Sequence, residues 1–191
     1  MSKATTRTAV VIIIMIVLVV TYFTYLSNKN RNELSESTSR TRVEKLLNRD
    51  LVNDYPPTPR EVVKLYSDII SCIYGDDCTD EQIEQLIEKT RLLFDDELNE
   101  YNEWDIYFTR FNSEIADFKE KEKKISSYSI PSSTEVDYDT IDGYTLARIR
   151  CNYYILEGKV SKTANHVYLL REDSDGRWKI YGWDSTQNVD M

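Results

Sequence analysis

Residues 9–26, AVVIIIMIVLVVTYFTYL, form an unbroken run of 18 residues without a charge, and nothing later in the 191-residue chain reads this way. As a helix the run would rise about 27 Å, close to the hydrocarbon thickness of a bilayer, with every backbone group satisfied internally. Tyr22, Phe23 and Tyr25 gather at its C-terminal end, where amphipathic rings suit the headgroup layer. The stretch before Ser27 lacks the small-x-small site that a signal peptidase needs. The expectation is an uncleaved transmembrane helix at 9–26, preceded by an N-terminal tail at 1–8.

Lys3 and Arg7 precede the run. Lys29, Arg31, Arg40 and Arg42 follow it, interspersed with Glu33, Glu36 and Glu44. A tail this short behaves like the n-region of a signal anchor. The expected location is therefore the cell membrane, single-pass through residues 9–26, with the C-terminal domain extracytoplasmic.

The chain carries 24 basic and 33 acidic side chains, a net charge of −9. No acid precedes the run, so the part after it is more acidic still. Such a surface repels phosphate backbones, and no nucleic-acid partner is expected. Residues 27–39 are polar without apolar periodicity and read as a tether. Residues 40–57 read as a short amphipathic helix, with Val43, Leu46, Leu47 and Leu51 on one face, closed by the proline linker DYPPTP.

From residue 58 the period is helical. Thr58 with Glu61, and Thr79 with Gln82, are capping signatures, and Pro59 sits at a first helical position. The first helix carries Val62, Val63, Tyr66, Ile69, Ile70 and Ile73 on one stripe. The second carries Ile83, Leu86, Ile87, Leu93, Phe94, Leu98 and Tyr101. The third, capped by Asn102, carries Trp104, Tyr107, Phe108, Phe111, Ile115 and Phe118. After residue 125 the period changes to two. SYSIPSSTEVDY, YTLARIRCNYYILEGKV, ANHVYLLRED and RWKIYGWDS read as four strands, the last two joined at Asp175-Gly176. The fold class expected is α+β: a transmembrane helix, then three amphipathic helices packed on a curved antiparallel sheet of about four strands. The domain would span 58–186, with a C-terminal tail at 187–191.

This order of elements, with Asp175-Gly176-Arg177-Trp178-Lys179-Ile180 as the closest local match, resembles the nuclear-transport-factor-2-like (NTF2-like, cystatin-like) cone fold over residues 58–186. Many members of that group place a β-hairpin between the second and third helices. Here only two residues separate Tyr101 from Trp104. The whole chain is also similar to small uncharacterised single-span proteins of Gram-positive anaerobic bacteria. Its architecture is similar to secretion and conjugation subunits that hang such a domain from one N-terminal span. The fold resemblance implies a cone between helices and sheet, which in enzymes of the group holds acids or His–Asp pairs.

Residues expected to face that cone are Trp104, Phe111, Tyr153, His166 and Tyr168. His166 is the only histidine and has no acid positioned beside it in its strand, so no catalytic constellation forms and the protein is read as a non-enzyme. One histidine and three scattered cysteines give no metal-ligand spacing, and no phosphate loop is present, so no metal and no cofactor are expected. Cys72 and Cys78 flank a turn and form a candidate disulfide in an oxidising compartment. Two functions stand side by side. One is a membrane-anchored, non-catalytic domain binding a protein or other cell-envelope component. The other is a tethered small-molecule binder or enzyme using the cone.

Overall fold

In a computed structural model, residues 17–22, 24, 25, 38 and 40–186 are described. The chain divides into two compact units, Met1–Thr41 and Arg42–Met191. In the first, residues 17–22, 24 and 25 are helical, with the Thr21 hydroxyl donating to the Val17 carbonyl at 2.7 Å. Among the described residues no helix is long and apolar enough to cross a membrane, which overturns the transmembrane helix expected at 9–26. Residues 9–16, 23 and 26 lie outside the described residues, as do the tail at 1–8, nearly all of the tether and the end at 187–191.

The second unit begins within a helix at 40–47 (α1) and is α+β. Thr58 caps helix α2, Pro59–Gly75, by accepting the Glu61 amide, and Pro59 opens it. The apolar stripe read from the sequence is buried along its whole length, from Val62 at 0% exposure to Ile73 at 3%. A full capping box starts α3, Asp80–Arg91: the Gln82 amide donates to Thr79 Oγ1 at 3.2 Å, and the Thr79 amide donates to Gln82 Oε1 at 2.9 Å. Lys89 of α3 donates to the Leu47 and Arg49 carbonyls, each at 2.6 Å. It thereby satisfies the orphan acceptors at the end of α1.

The second expected helix does not run on to Tyr101. It ends at Arg91, and Leu93 to Asp95 turn extended beside the last strand. The Ile180 amide donates to the Leu93 carbonyl at 2.8 Å, and the Asp95 amide donates to the Ile180 carbonyl at 2.9 Å. Asp95 then caps a separate short helix α4, Asp96–Tyr101, which leaves Tyr101 87% exposed. Helix α5, Trp104–Glu120, starts without a side-chain cap. Asn102 instead donates through Nδ2 to the Leu98 carbonyl and accepts Arg91 Nη1 on its own carbonyl.

Five strands follow rather than four. β1 (Lys123–Ser129) and β2 (Asp137–Ile141) replace the single strand expected at 127–138. Pro131 offers no amide to a ladder, and Ser132 caps a 3-10 turn at Ser133–Glu135. Asp142 and Gly143, both at positive φ (54° and 83°), then fold β2 onto β3 (Tyr144–Glu157) as a tight hairpin. The long β3 thus carries β2 along its first half and β1 along its second. β4 (Val160–Glu172) and β5 (Trp178–Thr186) complete an antiparallel sheet ordered β1-β3-β4-β5, with β2 beside β3.

Along β3 Ala147, Ile149, Cys151 and Tyr153 alternate inward, each 3% exposed or less, and Ile155 in the same phase is half-buried. α2, α3 and α5 supply the other side of this core. The C-terminus of α2 presses on β1 at Gly75, where an added Cβ would lie 2.6 Å from the Ile125 carbonyl oxygen.

Candidate functional site

Between the helices and the inner face of the sheet lies a cavity of about 340 Å³. α2 supplies Tyr66, Ile70 and Tyr74, four residues apart and so on one face. α5 supplies Tyr107, Phe111, Glu114 and Phe118 by the same periodicity, and β3 and β4 supply Tyr153, Ala164, His166 and Tyr168. Aromatic rings touch one another around the space. Phe118 packs on Tyr74, Tyr74 on Phe111, and Phe111 on Tyr107. Phe94 links Tyr107 to Tyr66, and Tyr66 meets Tyr168 edge-on at 5.5 Å.

The polar groups of the wall are largely turned toward each other. Ser67, fully buried on α2, shares a 2.8 Å hydrogen bond with the Tyr153 hydroxyl, which shares another of 2.8 Å with the Tyr168 hydroxyl. Ser67 also lies 3.4 Å from Cys151 Sγ. This hydroxyl chain ties α2 to β3 and β4. Burial raises the pKa of Tyr66, Tyr153 and Tyr168 well above the ordinary phenol value, so all three stay neutral. Burial pushes Tyr107 up to about 12.

His166 packs edge-on against Tyr153 at 5.3 Å and beside Tyr168 at 6.1 Å. Its Nδ1 is buried with no hydrogen-bond partner. Burial lowers its pKa, so the ring is neutral at pH 7. A catalytic histidine is normally oriented by a carboxylate or carbonyl on one nitrogen, and here Nδ1 has neither. The charged groups of the site, Arg110 and Glu114, are exposed on α5 and mark the mouth with Asn102. Glu114 accepts a 3.3 Å hydrogen bond from the Tyr74 hydroxyl.

Of the five residues expected in the cone, the fold brings four to the cavity wall: Phe111, Tyr153, His166 and Tyr168. Trp104 is not among the lining residues. It stacks on Phe108 at 5.1 Å, with the Arg91 guanidinium 6.0 Å from its ring. The sequence reading left out Tyr74, Ser67, Arg110 and Glu114, and took Tyr66 and Tyr107 as plain core. The available signal was the aromatic residues at helical spacing on two helices, Tyr66 and Tyr74 with Ile70 between them, and Tyr107, Phe111 and Phe118.

Away from the cavity, Cys72 and Cys78 are free thiols with their sulfurs 3.8 Å apart. Hydrogen bonding between the two lowers the pKa of Cys78 and raises that of Cys72, which burial raises further. Among the described residues no group of three or more His, Cys, Asp or Glu could hold a metal ion.

Fold and site together define an α+β domain with an aromatic-lined cavity between its helices and an antiparallel sheet. The chain belongs to a domain family of unknown function, DUF6715, whose family model matches residues 1–183. No curated protein matches the chain.

Proposed function

We propose that the second unit is a non-catalytic, small-molecule-binding domain of the NTF2-like cone type. The observation that carries this reading is the cavity: about 340 Å³ lined by apolar and aromatic side chains, with the Tyr153 and Tyr168 hydroxyls bonded to each other and the Tyr107 hydroxyl and His166 Nδ1 buried without a hydrogen-bond partner among the described residues. Concave, mostly apolar spaces with a few placed polar groups are the usual form of ligand sites. Phe111 and Tyr153 line a space rather than fill it, and Trp104 stands outside it. The absence of an acid on His166 Nδ1 supports binding over catalysis. The cone assignment is supported by the order of helices and strands, with α4 where many members of that group place a hairpin.

Indole and 2-naphthol are suitable probes. At ten times its Kd a ligand stabilises the folded state by about 1.4 kcal/mol, which is about 4 °C in Tm for a domain of this size. Ala164→Trp, which places a ring inside the cavity, should abolish that shift. If neither probe raises Tm, the cavity reading falls and the weight returns to a protein partner at the cell envelope.

An envelope location, shared with small proteins of Gram-positive anaerobes, is proposed from the charge-free sequence 9–26 alone. The extracytoplasmic placement rests on the same stretch. Recovery of the full chain in the soluble fraction of lysed cells would remove both.

A further inference from the structure

The cavity interior and its mouth differ in one property that constrains the ligand. Inside, every ionisable group is neutral: the Tyr153 and Tyr168 hydroxyls bond each other, and the His166 ring is uncharged. A charge drawn into that interior would lose its hydration with nothing of opposite sign to replace it. A charged group on the ligand therefore belongs at the mouth, and the mouth holds two candidates. Glu114 already accepts the Tyr74 hydroxyl. Arg110, one turn earlier on α5, is exposed and has no ion pair or hydrogen bond among the described residues. All of its guanidinium donors are open, in a fork that matches a carboxylate bidentately.

We propose that the ligand is a ring-bearing organic acid, its apolar body in the cavity and its carboxylate at the mouth against Arg110. This rests on the ligand-binding reading above and adds the chemical class. The volume suits the assignment. A space of about 340 Å³ has room for a one- or two-ring body. The acidic surface of the protein does not exclude an anion here. At physiological ionic strength charges beyond about 8 Å are screened, so the local balance is set by Arg110 and Glu114, and Glu114 is already engaged by the Tyr74 hydroxyl.

Three compounds with one ring body separate the possibilities: indole-3-acetate, indole-3-acetamide and tryptamine, titrated calorimetrically into the full chain. The acetate should bind about fivefold tighter than the amide, the scale of an exposed ion pair, and tryptamine should bind weakest. Arg110→Gln should bring the acetate down to the affinity of the amide and leave the amide unchanged. Raising the salt concentration should narrow the gap in the same way. Equal binding of acetate and amide overturns the acid assignment while the cavity reading stands. Tightest binding by tryptamine overturns it in favour of a cation on Glu114. If none of the three binds, and indole does not either, both readings fall together.

Discussion

His166 is the only side chain of this protein whose unperturbed pKa lies near neutrality, and burial holds its folded value below that of the unfolded chain. Between the two values the unfolded state binds a proton that the folded state refuses. Stability therefore rises with pH through this window and is lost as pH falls below about 6.5. His166→Phe keeps the ring and removes the proton site. Urea midpoints measured from pH 5 to 7.5 should show a histidine-sized slope in the wild type that is missing in the variant. Identical profiles would mean that His166 titrates normally in the folded state. That His166 shares a face of its strand with Tyr168 was readable from strand phase, whereas its place opposite Cys151 and against the Tyr153 ring was set by the register of β4 on β3. Its lack of an acid on Nδ1 was not readable either, because that depends on what α2 and α5 carry toward it.

At the scale of elements, two of the three expected caps form and the third, Asn102, does not. Thr58 and Thr79 cap the helices they announce, since a cap is a contact within four residues. The break after Arg91 was hidden. Leu93, Phe94 and Leu98 continue a helical period, yet the backbone at 93–95 pairs with Ile180, far along the chain. Asp95 fixes the break from two sides. It caps α4 through the Glu97 amide, and its carboxylate receives Arg171 Nε at 2.9 Å together with Nη2. Long-range pairing of this kind overrides local periodicity.

Gly75 marks a close approach between two elements. A methyl group there meets the Ile125 carbonyl, which is backbone in a strand paired through Ile155 and has little freedom to move. Gly75→Ala should destabilise the domain by about 1–3 kcal/mol through overpacking, read as a shift of the urea midpoint at constant m-value. A neutral result would show that α2 can slide along β1 without cost.

For the molecule as a whole, the core of the second unit, among the described residues, draws on residues from Val43 to Ile180. A chain beginning at Arg42 should therefore melt cooperatively, within a few degrees of the full-length protein in matched buffer. A broad transition, or aggregation on expression, would show that the first unit contributes to folding. A free-standing domain of this length is within the ordinary range for a single core.

The sequence by itself determined the α+β class, the inward face of α2, and the starts of α2 and α3. Each is written in residues two to four positions apart, as a period or a cap. It also carried the apolar run at 9–26, but a run of apolar residues states only a length. Among the described residues no helix is long enough to span. Tertiary structure decided the rest. It split one expected strand at Pro131 and Ser132, and it ended α3 by pairing Leu93–Asp95 with Ile180. It turned Trp104 away onto Phe108 while bringing Tyr74, Arg110 and Glu114 to the cavity. These outcomes rest on contacts between residues tens of positions apart. A cavity in particular is space that no single element holds, because it exists only where the curvature of the sheet and the placement of two helices leave their side chains short of meeting.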